Sequence, residues 1–472
     1  MLFNSFSFLF LYLPVVLTGY FALLRWQPRW TAGWLALASL FFYGYWDARY
    51  LPLLLGSILF NFWCAQHRRW LLVGVAADLA LLGYFKYANF FIDSIGLHGY
   101  GWAIVLPVGI SFFTFTQIAY LVDCYRGGAG EYRLVQYTLF VSYFPHLIAG
   151  PVLHHKEMMP QFDRPTRFDV ADIGIGLSIF VVGLAKKVLL ADPISVLVGP
   201  VFAPHAQPQL VEAWIGTLAY TYQLYFDFSG YSDMAIGLSR LFGVHLPLNF
   251  TSPYKAANIS EFWRRWHMTL SRFLRDYLYV PLGGNRHGPL QRYRNLLLTM
   301  LLGGLWHGAG WTFVVWGALH GVYLVLHHAW QALRPGRAPR WWGHWLTMLA
   351  VMLAWVVFRA PDLATAGEVM QGLAGTNGVS LPRGAAPWAG MLSALGWHAS
   401  FDGIRWIDFS GPAVPALLLA MLLAFTAPNT QEIFSQPLRW TPAKWRGTAM
   451  ALLFLGCLFN MNRVSEFLYF QF

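Results

Sequence analysis

The stretch "GGLWHGAGW", Gly303 to Trp311, places His307 in a run with no Asp, Glu, Lys or Arg from Asn295 to Leu333. An ionisable side chain at hydrocarbon depth is costly, so it usually faces a cavity or a partner. Gly303, Gly304, Gly308 and Gly310 surround it. Small residues let helix backbones approach closely and leave room for a narrow substrate. A neutral imidazole there can take a proton from a hydroxyl. It can equally serve packing, by donating one hydrogen bond across a helix interface. His320, His327 and His328 show that this chain uses histidine freely.

His267 is the second candidate, in "EFWRRWHMTLSRFLRDY". On a continuous helix, Trp263, His267 and Leu270 share one face, and Arg264, Met268 and Arg275 follow another stripe. The segment is amphipathic. It fits an interfacial helix held by headgroups, or the wall of a cavity whose arginines receive an anionic substrate.

Asp227 and Asp233 bracket "FSGYS". Carboxylates near a bilayer must be paired or wet, and the expected partner is an arginine from the Arg264–Arg275 block. Lys186 and Lys187 read as a helix-end charge pair. The carboxylate spacing is not that of a calcium loop. Cys64, Cys124 and Cys457 share no close spacing, so neither a disulfide framework nor a zinc knuckle is indicated, and no metal ion is expected. The absence of P-loop, GxGxxG and HExxH patterns leaves ATPase, nucleotide-oxidoreductase and zincin chemistry without support.

The elements that must hold these residues are apolar. The 472-residue chain is 57% hydrophobic with a mean hydropathy of +0.47, and only 11% of it is charged. Soluble proteins carry about 25% charge, so the implied solvent is a bilayer. The net charge of +11 sits at segment ends, at Arg25 and Arg29, Arg68 and Arg69, and Arg334 to Arg340. That placement suits anionic headgroups rather than nucleic acid. Aromatic residues make up 18% of the chain, fitting interfacial belts and the lining of a cavity.

Apolar runs are expected at Leu2–Leu24, Ala32–Tyr45, Leu51–Cys64, Trp70–Ile92, Trp102–Val122, Asp172–Leu190, Trp214–Phe228, Trp345–Phe358, Val414–Phe425 and Met450–Phe459. The first is read as a retained helix, because it lacks a basic n-region and a clear cleavage site. The chain is predicted to be one all-α integral membrane domain over residues 1–472. It would contain roughly 10 or 11 spanning helices plus re-entrant or interfacial pieces, with Pro361–Phe409 leaving the membrane.

"NISEFWRRWHMTLSRFLRDYLYVPLGGNR" followed by "LLLTMLLGGLWHGAGWTFVVWGALHG" resembles the membrane-bound O-acyltransferase family, specifically its bacterial branch that acetylates exported polysaccharides. "YFKYANFF", "LPVGISFFTFTQIAYLVDCYRG", "AGPVLHHKEMMPQF", "YQLYFDFSGYSDMAIGLSRLFG" and the closing "YFQF" extend the resemblance over nearly the whole chain. Residues 375–406 add little to it.

The resemblance implies a funnel of tilted helices around a thin centre. It implies catalytic roles for His307 in the "LWHG" segment and His267 in the "RRWH" segment. It further implies acetyl transfer from a cytoplasmic donor, acetyl-CoA, with no resident cofactor. The acceptor would lie on the far side, on a periplasmic acetyltransferase partner that modifies a polymer such as alginate or cellulose. The setting would be the inner membrane, with lipid as the remaining partner. His307 would take the acceptor proton, and His267 would orient the acceptor or donate to developing charge. From charge alone, Arg264, Arg265 and Arg272 are the expected contacts for donor phosphates. The alternatives are a transporter of an acyl group or polymer precursor, which would call for inverted repeats, and a non-catalytic scaffold of a polysaccharide-modifying complex.

Overall fold

The computed structural model describes residues 1–97, 101–127, 132–148, 150–163, 169–334, 340–394, 396, 398–401, 403–434, 443–461 and 467–468. The closing "YFQF" and most of the Arg334–Arg340 basic run lie outside these. The protein is an all-α membrane protein. The strands among the described residues form one short parallel ribbon, Val379–Ser380 against Ala399–Ser400.

Five described helices are long and apolar enough to cross a membrane: Phe8–Trp26, Ala48–Gln66, Arg68–Ser94, Val170–Ser195 and Arg340–Arg359. Other expected spans are also helical, namely Thr31–Trp46, Ile110–Tyr125, Ala413–Thr426 and Lys444–Asn460. In the first helix Phe8, Tyr12, Val16 and Tyr20 are buried along one four-residue stripe. This is the face a helix presents to its neighbours, and Tyr20 Oη donates to the Phe242 carbonyl at 2.9 Å.

Three sequence readings change. The Trp102–Val122 run becomes helical only at Ile110, after Pro107 and a left-handed Gly109 with φ +72°. The Trp214–Phe228 run does not end at the aspartates; one 32-residue helix, Leu210–Leu241, carries both. The "RRWH" segment is not one helix. Ile259–Arg265 stops at an extended Trp266, His267 is left-handed at φ +42°, and a second helix runs Met268–Leu274. The extended strand-like stretch before it enforces the break. Thr251 N–H donates to the Arg265 carbonyl and Met268 N–H to the Asn249 carbonyl.

Asp227 and Asp233 do not pair with the arginine block. Lys187 Nζ lies 2.6 Å from Asp227 and 2.9 Å from Asp192, and Lys186 Nζ lies 2.6 Å from Asp233. The cause is close backbone packing between Val170–Ser195 and Leu210–Leu241. A Cβ on Gly183 would meet the Gly230 carbonyl at 2.6 Å, and one on Gly237 the Gly176 carbonyl at 2.6 Å. Glycines seven residues apart on each helix remove that obstacle and bring lysine to aspartate.

Two large buried clusters form most of the described core, beside a small third one of Cys64, Leu71 and Leu121. One gathers the N-terminal helices and includes Trp306 and Leu270. The other is built on Leu210–Leu241 and Arg340–Arg359 and includes Trp266, Trp316 and Phe358. His267 and His307 stand at the seam between them.

Candidate active site

His307 is the last residue of the helix Gly288–His307, and Gly308 is extended at φ −159°, ψ 152°. The next helix, Trp311–Leu333, folds back against the first. Gly304 and Gly317 face each other's backbones in this hairpin, and neither has room for a Cβ. The two helices therefore close tightly just below the histidine.

A helix end leaves carbonyls without intrahelical partners. Here two consecutive residues of "YFKYANFF" satisfy three of them. Tyr87 Oη donates to the Leu305 carbonyl at 2.7 Å. Lys86 Nζ donates to the carbonyls of Trp306 at 2.6 Å and His307 at 3.0 Å, and to Ser111 Oγ at 3.2 Å. Both belong to a π-helical stretch, Gly83–Tyr87. An ammonium at a helix C-terminus is favoured by the backbone dipole. It also fixes the residue carrying the imidazole.

The His267 and His307 ring centres are 6.5 Å apart. His267 is fully buried, edge-on to Phe228 at 4.8 Å. Its Nδ1 lies 2.9 Å from Asn249 Oδ1, which also accepts from Thr269 Oγ1 at 2.9 Å, while Asn249 Nδ2 donates to Ser232 at 3.3 Å. This network assigns Oδ1 as the acceptor, so Nδ1 of the neutral ring carries the proton and Nε2 carries the lone pair. Nε2 is buried without a hydrogen-bond partner among the described residues.

Aromatic groups complete the walls. The His307 ring meets Trp316 at 5.1 Å, Phe358 at 5.4 Å and Trp306 at 5.0 Å. A third histidine, His320, is fully buried 4.8 Å from Trp316 and accepts from Trp263 Nε1 at 3.2 Å. A largely apolar enclosure with lone-pair nitrogens suits proton transfer to and from a neutral substrate and protects a hydrolysable acyl group from water.

The three arginines expected to meet donor phosphates do not line one common space. Arg265 pairs with Glu261 at 2.7 Å, and Arg272 forms a two-pronged bridge to Glu157 at 2.6 and 3.0 Å. Arg264 is exposed and reaches Ser260 Oγ at 3.2 Å. A cavity of about 300 Å³ is lined instead by Arg275 and Arg292, together with Trp263, Met300, Leu324 and His328. Trp263 connects this space to the centre, since its ring contacts both Trp316 and His320.

The family model for membrane-bound O-acyltransferases matches residues 55–366. This chain belongs to the membrane-bound O-acyltransferase family. Its relatives include the peptidoglycan O-acetyltransferase of Helicobacter pylori, 41% identical over 100% of this chain and 98% of that protein. The probable alginate O-acetylase AlgI of Pseudomonas aeruginosa is 45% identical over 93% of this chain and 83% of that protein. The teichoic acid D-alanyltransferase of Streptococcus thermophilus is more distant, at 27% identity over 53% and 68%. The chain is thus a membrane-embedded acyltransferase.

His307 was legible as an ionisable group in apolar surroundings and His267 as part of an amphipathic segment, and the fold brings them together. Lys86 gave the same signal in "GYFKY", a cation within a run of apolar residues, but was not singled out. Asn249, Tyr87 and Arg292 gave none; their roles depend on contacts between distant segments.

Proposed function

We propose that this acyltransferase moves acetyl groups from a cytoplasmic donor, acetyl-CoA, to an acceptor hydroxyl at the opposite face of the inner membrane, for O-acetylation of an exported polysaccharide. The observation that carries the reading is the His307–His267 pair at the seam of the two cores, in a chain similar along its whole length to O-acetyltransferases named for two different polymers. His307 accepts the proton of the acceptor hydroxyl as its oxygen attacks the thioester carbonyl. The C–S bond then breaks, the acyl group passes to oxygen, and the thiolate leaves with the proton returned from the imidazolium. His267 accepts a hydrogen bond at Nε2 and orients the acceptor, because Asn249 already holds the proton-bearing Nδ1. Arg292 receives the donor's anionic groups, a role that Arg265, Arg272 and Arg275 serve less well because Glu261, Glu157 and Asp276 engage them. A periplasmic acetyltransferase acts as the acceptor-side partner and passes the group to alginate, cellulose or a related polymer.

Proteoliposomes containing the full chain, with acetyl-labelled acetyl-CoA supplied on one side and a polysaccharide acetyltransferase partner on the other, test this. The expected result is label on the partner or polymer and free thiol on the donor side. Release of thiol equal to that of empty vesicles, with no label across the membrane, would reject it.

A further inference from the structure

Away from the histidine pair, side chains from three segments converge on one carboxylate oxygen. Asp123 lies near the end of the Ile110–Tyr125 helix, His154 and His155 open the helix His155–Asp163, and Tyr277 lies in the π-helical stretch Arg275–Tyr279. Asp123 Oδ2 is 3.2 Å from His154 Nε2, 3.1 Å from His155 Nδ1 and 2.7 Å from Tyr277 Oη. Tyr277 Oη is also 3.3 Å from His154 Nε2. One ligand atom from each of Asp123, His154 and His155 lies within 4.8 Å of the others, the one such group among the described residues.

These separations are close to those of a metal's ligand shell. A tetrahedral ion with bonds of about 2.0–2.1 Å holds its ligands roughly 3.3 Å apart. The donor set is selective. Two imidazoles with one carboxylate suit zinc and its first-row neighbours, whereas magnesium and calcium are held by oxygen alone. Access is graded as well: the His155 side chain is 1% exposed, Asp123 12% and His154 25%. The cluster is closed on one side and open on the other, as a site that must admit an ion requires.

We propose that Asp123, His154 and His155 bind a divalent transition cation of the zinc type, with Tyr277 Oη as the fourth donor. The ion ties the Ile110–Tyr125 helix and the His154–His155 connector to the segment that leads out of His267. It is structural, because its ligands belong to none of the groups around His307. The sequence reading expects no metal ion from the cysteine and carboxylate spacings; here the two histidines are adjacent and their carboxylate and phenol partners lie far away in the chain.

The test uses the full chain purified in detergent without a histidine tag. Metal content is measured directly, and chelator-stripped protein is titrated with Zn2+ against a chromophoric competitor and with Co2+ by visible absorption. The proposal predicts about one equivalent of tightly held metal per chain and the intense visible bands of four-coordinate cobalt. His154→Ala/His155→Ala and Asp123→Asn should each weaken zinc binding by about tenfold or more, while His327→Ala/His328→Ala leaves it unchanged. Wild-type protein that neither retains zinc nor develops the cobalt bands would overturn the proposal, whatever the variants do. So would loss of the bound equivalent on changing His327 and His328, which would mark that half-buried pair as the binding site. Should His154→Ala/His155→Ala fail to fold, the near-isosteric Asp123→Asn and the wild-type titration still decide.

Discussion

Two regions of this interior hold ionisable groups in opposite ways. Between the helices Val170–Ser195 and Leu210–Leu241, Lys186 and Lys187 meet Asp233 and Asp227 at 2.6 Å. Further bonds complete the cluster: Thr430 Oγ1 donates to Asp233 at 2.6 Å and Leu468 N–H to Asp227 at 3.0 Å. At the seam between the cores, His267 instead bonds a neutral group, Asn249, and within the second core His320 accepts from the Trp263 indole. Opposed full charges lock two backbones and the chain end together, and any proton change there would unbalance them. A neutral imidazole whose proton-bearing Nδ1 is held by a neutral partner, as in His267, keeps its Nε2 lone pair available, as a group that must gain and lose a proton requires, whereas the lone pair of His320 accepts from Trp263. On the proposed function, the first arrangement serves architecture and the second chemistry.

The sharpest way to break this contrast is His307→Ala. Removing a general base costs roughly 10²–10⁴-fold in rate, so acetyl transfer should nearly vanish while detergent-solution unfolding curves stay close to wild type. Lys187→Met should do the reverse. It strands Asp227 and Asp192 without their cation, at a cost of about 3–5 kcal/mol of stability. Thermal unfolding monitored by tryptophan fluorescence should shift markedly, while activity per folded molecule remains. A Lys187→Met protein as stable as wild type would contradict the architectural role.

Lys86→Met falls between the two. It leaves the Trp306 and His307 carbonyls without their donor and lets the imidazole drift, so kcat should fall roughly 10- to 100-fold with the donor KM little changed. An unchanged kcat would remove Lys86 from the positioning of His307. The smallest effect concerns the cavity. Arg292→Ala should raise the donor KM about tenfold, as expected for one lost charge-assisted hydrogen bond, whereas Arg272→Ala should not. Thiol release at varied donor concentration separates them, and an equal KM rise in both would return the phosphate-binding role to the originally expected arginines.

The same contrast explains what the sequence disclosed. Composition and the long apolar runs were enough for an all-α membrane protein, because hydrocarbon admits few alternatives. His307 stood out because ionisable side chains are rare in such runs, and His267 because it sits in an amphipathic segment that carries the family resemblance. Partnerships across the chain were hidden. The glycine spacing of Gly176, Gly183, Gly230 and Gly237 was visible as letters, yet only helix packing turns it into a lysine–aspartate cluster. The break at His267 was invisible to a periodicity argument, since residues around Asn249 impose it from outside the segment. The arginine pairings were legible only in part: Glu261 lies one helical turn from Arg265, whereas Glu157 reaches Arg272 only through folding.

The most direct measurement of the central claim is single-turnover acetyl transfer by wild-type protein and His307→Gln, with the folded fraction of each determined in the same preparations. The account predicts a loss of at least about a hundredfold for His307→Gln at an unchanged folded fraction. A rate within a few fold of wild type would show that His307 only packs the seam, and that the acceptor proton goes elsewhere.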